Sequence, residues 1–202
     1  MRVNIFKYVC LTYQFMVLLK SDPRTLQKGS DAPNFSLKNV DGSIVNLADF
    51  KSRIVVIIFM CNHCPYVKPK MGEISSIQED YRNKGVVVIG INSNDPDFVP
   101  EDSFENMQEI AKKFKYEYYL FDETQEVAKK YGATCTPDPF VFDSKHKLVY
   151  HGRINDAMNP GDTIKKHVMR KVLNKVVNKE EVEEWFLPSM GCSIKWKGDS
   201  RV

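Results

Sequence analysis

Arg53 is followed by six consecutive apolar residues, Ile54-Val-Val-Ile-Ile-Phe59, with no polar residue between them. A strand with one face in water alternates apolar and polar residues, because its side chains point to opposite faces in turn. An unbroken β-branched run is instead a strand covered on both faces, as in parallel sheets flanked by helices. Val86 to Ile91 is a second run of the same kind. Between them, Met71, Ile74, Ile77 and Tyr81 fall on one stripe, which predicts a helix from Pro65 to about Lys84.

The remaining segments extend this pattern. Phe35 to Val40 and Ser43 to Leu47 alternate around Asp41-Gly42, a hairpin signal. Ser103 to Phe114 is an amphipathic helix, and Tyr118 to Phe121 is a strand. Thr124 to Tyr131 is a short helix stopped by Gly132. Phe140 to Phe142 and Leu148 to Tyr150 form a second hairpin around Asp143 to Lys147. Thr163 to Val177 reads as a lysine-rich helix with Ile164, Val168, Val172 and Val176 inside, and residues 180–202 as a tail with little pattern. Strands alternating with helices imply a three-layer α/β fold with helices on both faces of the sheet.

A chain of 202 residues can bury a core as one domain without disulfide staples. Its net charge of +3 is too small to argue for nucleic acid or a charged membrane surface. The basic run from Lys165 to Lys179 is followed by Glu180 to Glu184, as on a solvated helix face. No phosphate-cradling glycine loop is present. Residues 20–34 are polar, with Pro23, Gly29 and Pro33, and read as a linker. The division expected is therefore 1–27 as an extension or leader, 28–178 as the working domain and 179–202 as a tail packed on it. Ile5 to Leu19 is apolar but shorter than the roughly 20 residues that span a bilayer. No small-residue cleavage site follows it, so a cytoplasmic address is expected.

The five cysteines, at 10, 61, 64, 135 and 192, are odd in number and sparse. A small secreted scaffold carries more, in an even set. They are therefore buried residues, metal ligands or redox groups. Cys61-Asn62-His63-Cys64 lies where the first buried strand ends and a helix begins. In an open α/β sheet this carboxyl edge is where sites collect. A free thiol of pKa near 8.5 is roughly 3% thiolate at neutral pH, and the positive end of a helix raises that fraction. Proline suits the first helical position, so Pro65 makes Cys64 the cap. Cys64 is then the expected nucleophile and Cys61 its partner from the strand exit, closing a reversible disulfide. His63 and Lys68 are nearby cations able to favour the thiolate further. Zinc would need ligands from His63, Cys135, Cys192 or another histidine, and a second paired motif is missing. No metal and no bound cofactor are expected.

Five segments resemble a known family together. They are Gly29-Ser-Asp-Ala-Pro-Asn-Phe35, Phe59-Met-Cys-Asn-His-Cys-Pro-Tyr-Val67, Tyr131-Gly-Ala-Thr-Cys-Thr-Pro-Asp138, His151-Gly-Arg-Ile-Asn-Asp156 and Gly191-Cys-Ser-Ile-Lys-Trp196. Over residues 28–196 the chain is similar to the thioredoxin-like redoxins of the alkyl hydroperoxide reductase/thiol-specific antioxidant superfamily. The resemblance implies a thioredoxin-like mixed sheet with an N-terminal β-hairpin extension. It assigns Thr136-Pro137 to the cis-proline loop that lies against the cysteine pair and contacts substrate. It also brings Cys135 and Cys192 near that pair, each either a third redox thiol or a buried small residue; Cys10 lies outside it. Two departures matter. The strand at 54–59 lacks the buried aspartate of thioredoxins, and Cys61 stands where peroxiredoxins carry a hydroxyl.

The function expected is thiol-disulfide exchange through a mixed disulfide, within cell redox homeostasis. Its partners are protein or small-molecule thiols and disulfides and an unidentified electron donor. The alternatives are an antioxidant thiol peroxidase, and a metal-binding or delivery protein that uses the cysteine pair.

Overall fold

The computed structural model describes residues 17–199. Cys10 and the greater part of the apolar N-terminal segment lie outside the described residues. The chain runs β1 (Leu18–Lys20), β2 (Ser36–Asn39), β3 (Ile44–Asn46), β4 (Ile54–Phe59), α1 (Met71–Tyr81), β5 (Val86–Asn92) and α2 (Phe104–Phe114). It continues with β6 (Tyr118–Phe121), α3 (Glu126–Tyr131), β7 (Cys135–Thr136), β8 (Asp138–Phe142), β9 (Leu148–Gly152), α4 (Val168–Val177), β10 (Phe186–Leu187) and β11 (Met190–Ser193).

Eight strands form one mixed sheet in the order β10-β9-β8-β4-β5-β6-β2-β3. The central strand β4 pairs parallel to β5 and antiparallel to β8, with Phe59 beside Ile91 on one side and Asp138 on the other. Every residue of β4 and β5 is buried, as the continuous apolar runs require. Ile54, Val56 and Ile58 point to one face and pack with Ile74 and Ile77 of α1, Met107 of α2 and Leu173 of α4. Val55, Ile57 and Phe59 point to the other, against Phe35, Leu47, and Ala128 and Tyr131 of α3. Full burial of such a side chain contributes about 1.5–3 kcal/mol. The two-faced core therefore fixes β4 and the place where it ends. The hairpin of β2 and β3 joins this sheet through β6.

Three sequence expectations change. The helix expected from Pro65 is a turn, then a 3-10 stretch at Lys68–Lys70, and regular α-helix only from Met71. Pro69 has no N–H, and its ring opposes the bond pattern of a regular helix, so the first turns tighten. The helix expected from Thr163 begins at Val168. Asp156 takes the backbone N–H groups of Lys165 and Lys166 and donates its own to Lys166, which holds the preceding segment out of the helix. Ile164 is accordingly only partly buried, and Met169 and Leu173 fill the core with Val172.

The C-terminal tail also carries structure. β10 extends the main sheet parallel to β9. β11 lies between β1 and β7 in a separate three-stranded antiparallel sheet. Gly191 permits this close approach: a Cβ there would sit 1.8 Å from the Thr136 carbonyl oxygen. No described helix is long and apolar enough to cross a membrane.

Candidate active site: a thiol cluster at the end of the central strand

Met60 N–H still donates to Ile91 O, and the chain then leaves the sheet at Cys61. Cys64 closes the following turn, its carbonyl accepting from the N–H groups of Val67 and Lys68, both at 3.0 Å. Pro65 thus occupies the first position of the turn, where its missing N–H costs nothing. Cys61 and Cys64 are both fully buried, while His63, Pro65 and Tyr66 are partly exposed beside them. Lys68 is exposed. Lys70 is the lysine that turns inward, its Nζ donating to Ala157 O at 3.0 Å.

The Thr136–Pro137 bond is cis, and this loop faces both thiols. Thr136 Oγ1 is 3.3 Å from Cys61 Sγ, and Thr136 O is 3.2 Å from Cys64 Sγ. Cys192 of β11 is the register partner of Thr136. Its Sγ stands 3.0 Å from that of Cys64. Cys135 is buried and uses Pro137 O at 3.8 Å as its acceptor. Four of the five cysteines therefore gather around the cis-proline loop, and no disulfide joins any of the four to another.

A carboxylate also reaches the site. The apolar strand β4 supplies none, but Asp102, on the loop between β5 and α2, lies beneath the Cys61–Cys64 turn and is fully buried. Its Oδ1 accepts from the backbone N–H groups of Asn62 (2.7 Å) and His63 (3.2 Å). Its Oδ2 accepts from Asn94 Nδ2 (2.7 Å) and pairs with His63 Nδ1 (2.6 Å). The same His63 nitrogen lies 3.6 Å from Cys61 Sγ. Tyr119 OH donates to Asn62 Oδ1 at 2.9 Å and completes the support of the turn. In the sequence, His63 has no visible partner and Asp102 is one acid in a polar loop. The only trace of this site is the Asn92-Ser-Asn94 cluster at the carboxyl edge of β5, beside the strand that carries the cysteines.

The three central thiols are shifted in opposite directions. Burial pushes the Cys64 thiol up, but hydrogen bonds from Cys192, Cys61, the Cys192 backbone and Thr136 outweigh it and hold Cys64 well below an ordinary thiol. Burial, the contact with Cys64 and the Asp102 charge push Cys61 far up. Cys192 is also pushed up, first by its hydrogen bond to Cys64 and then by burial. Of the three, Cys64 is thus the most acidic thiol, and its two neighbours are the less acidic ones. The agent is not the one the sequence suggested: the regular helix begins seven residues after Cys64, so direct donors take the place of the helix dipole. Burial raises Cys135 as well.

Cys61 Sγ, His63 Nδ1 and Asp102 Oδ2 lie within 4.8 Å of one another, so their donor set could hold a metal ion. Each oxygen of Asp102 already accepts two protein hydrogen bonds, so ligation would compete with the bonds that shape the turn. On the far side of the cis-proline loop, His151 Nε2 and Asp138 Oδ1 form a buried pair at 2.8 Å, with the imidazole stacked on Phe140.

A thioredoxin-like sheet ends here in a buried thiol cluster opposite a cis-proline loop, and the family match below makes the chain an oxidoreductase acting on thiols. Residues 28–151 match the AhpC/TSA family, and the chain belongs to it. Among solved structures it is similar to an uncharacterized conserved protein from Geobacillus kaustophilus. That likeness is 44% identical with a TM-score of 0.85 and covers 92% of this chain and 99% of the other. Among curated proteins, the thiol-disulfide oxidoreductase ResA of Bacillus cereus is 24% identical over 64% of this chain and 71% of its own length. The chloroplastic peroxiredoxin Q of Oryza sativa subsp. japonica is 28% identical over 69% of this chain and 66% of its own.

Proposed function

We propose that the protein is a thiol-disulfide oxidoreductase whose reacting sulfur is Cys64. The observation that carries this reading is the cluster of Cys61, Cys64 and Cys192 against Thr136 of the cis-proline loop, with the Cys64 thiol held below and the Cys61 thiol above the ordinary value. Thiol-disulfide exchange requires this inequality, because the thiolate attacks and a second thiol resolves the mixed disulfide. In the forward step Cys64 attacks one sulfur of a substrate disulfide, forming a mixed disulfide and releasing the other sulfur as a thiolate. Cys61 then attacks Cys64, closes the Cys61–Cys64 disulfide and releases the second substrate thiol. The substrate gains two electrons and the protein gives up two, with no group beyond its own sulfurs.

His63 and Asp102 shape this couple. Together they fix the backbone of the Cys61–Cys64 turn, and burial, the contact with Cys64 and then the Asp102 charge favour the protonated Cys61. Cys64 has no exposed surface, so a substrate disulfide reaches it when the partly exposed residues His63, Pro65 and Tyr66 move aside. The substrates are thiols and disulfides, as the name of the ResA relative indicates for that protein. A cytoplasmic address and an external electron donor belong to the same reading.

The complete burial of Cys64 also favours a second reading, a thiol peroxidase, since a hydroperoxide is a smaller oxidant and one relative is named a peroxiredoxin. Parallel single-turnover oxidation by oxidised glutathione and by hydrogen peroxide separates the two when the protein's own thiols are counted by alkylation and intact-mass measurement. For an oxidoreductase, glutathione disulfide consumes two thiols per chain, and Cys64→Ser stops the reaction. Oxidation by peroxide alone, or disulfide exchange that survives Cys64→Ser, would overturn the first reading.

A further inference from the structure

We propose that Cys192 is a second resolving thiol, so that Cys64 closes an internal disulfide with the C-terminal strand as well as with Cys61. The inference rests on the thiol-disulfide reading above and extends it to a residue 128 positions away in sequence.

Four observations carry it. The Cys64 and Cys192 sulfurs are 3.0 Å apart, closer than the van der Waals separation of two sulfur atoms. The approach is built into the backbone: β11 pairs antiparallel with β7, which puts Cys192 opposite Thr136, the residue whose carbonyl also touches Cys64. Gly191 is a steric requirement of that pairing, because any side chain there would collide with Thr136 O. Finally, both the side chain and the backbone of Cys192 hydrogen-bond with Cys64 and hold its thiol below the ordinary value. Cys61, by contrast, already has Thr136 Oγ1 and His63 Nδ1 as neighbours and carries the added burden of the Asp102 charge.

The step balances. The Cys64 thiolate attacks a disulfide, bonds to one of its sulfurs and expels the other as a thiolate. Cys192 gives its proton to solvent or to the departing thiolate and attacks the Cys64 sulfur. The Cys64–Cys192 bond forms, the bond from Cys64 to the substrate breaks, and the second substrate sulfur leaves. Two electrons pass from the two cysteines to the substrate disulfide. Cys61 can later displace Cys192 from Cys64, moving the disulfide into the Cys61–Cys64 turn without further oxidation.

The test is oxidation of the full chain by oxidised glutathione, quenched with acid and mapped by mass spectrometry of unreduced peptides. It is run on the wild type, Cys61→Ser, Cys192→Ser and the double variant, each checked for folding by circular dichroism. Two resolving thiols give a Cys64–Cys192 peptide in Cys61→Ser, a Cys61–Cys64 peptide in Cys192→Ser, and one stable glutathione adduct on Cys64 in the double variant alone. If Cys61→Ser by itself accumulates the glutathione adduct, and the wild type yields only the Cys61–Cys64 peptide, Cys192 does not resolve and the inference fails while the exchange reading stands. If Cys64 takes up no glutathione even in the double variant, the exchange reading fails and takes this inference with it. Should Cys61→Ser misfold, Cys61→Ala takes its place: a Cys64–Cys192 peptide upholds the inference, and a glutathione adduct left on Cys64 overturns it.

Discussion

Replacing Asp102 by asparagine removes one charge and almost no volume, and its consequences can be worked out from the four bonds that converge on the carboxylate. The retained amide oxygen can still accept from the N–H groups of Asn62 and His63, as Oδ1 does now. The new NH₂ group then faces two donors, Asn94 Nδ2 and His63 Nδ1. His63 escapes by moving its proton to Nε2 and accepting at Nδ1. Asn94 cannot simply flip, because its Oδ1 already accepts from Lys195 N at 2.9 Å. One buried donor is left unsatisfied, at a cost of about 1–3 kcal/mol. Breaking a buried charged pair typically costs about 3–5 kcal/mol, the upper bound here. The expected loss is therefore about 2–4 kcal/mol, a large share of the roughly 5–15 kcal/mol that holds a domain folded. Asp102→Ala strands all four donors and should cost more. Urea unfolding of the reduced protein measures both losses, provided the slope with denaturant is unchanged. Loss of the Asp102 charge should also lower the Cys61 thiol toward its ordinary value, read as a change in thiolate absorbance against pH. If Asp102→Asn unfolds within about 0.5 kcal/mol of the wild type, as an ordinary surface change does, the role assigned to this carboxylate is wrong.

Other expectations follow from the same geometry. Gly191→Ala forces β11 away from Thr136 and should cost about 1–3 kcal/mol, as overpacking does; thermal unfolding reads the loss, and faster alkylation of Cys64 by iodoacetamide reads the opened site. Ser103→Ala removes the side-chain cap that accepts from Asn106 N and should cost about 1 kcal/mol in urea unfolding. Cys64 has a folded pKa below its unfolded value of 9.0, so its contribution to stability should grow as pH rises toward 9. Cys61 and Cys192 have folded pKa values above theirs, so stability should fall once pH passes 9. A series of unfolding curves in reductant across this range should show the maximum, and Cys64→Ser should lose the rising limb.

The parts of this molecule that were legible in its sequence are those governed by local pattern. The unbroken run at 54–59 announced a strand buried on both faces, and the stripe through Met71, Ile74, Ile77 and Tyr81 announced the helix after it. Asp41-Gly42 and Gly132 marked a turn and a helix end, each with the left-handed glycine those features use. The cysteine spacing drew attention to the strand exit. What stayed hidden depends on contacts between distant residues. Asp102 and Asn94 meet His63 only because β5 lies parallel to β4 and ends beside it. β11 is four residues long and carries no periodic signal, and its partner β7 is shorter still. A strand of that size is specified by its partner and by the space at Gly191, not by its own composition. The lowered Cys64 thiol followed the same rule: its place at the strand exit was visible in the sequence, but the groups that lower it, Cys192, Cys61 and Thr136, were not visible as its neighbours.

The most direct test of the central claim is the ultraviolet absorbance of thiolate in the reduced protein, titrated with pH and compared with Cys64→Ser. A thiolate resident at Cys64 gives the wild type one extra thiolate per chain at neutral pH, with a difference signal that stays flat as pH rises to about 8. A difference signal that is absent at neutral pH and appears only near 9, the ordinary thiol value, would contradict the assignment of Cys64 as the reacting sulfur.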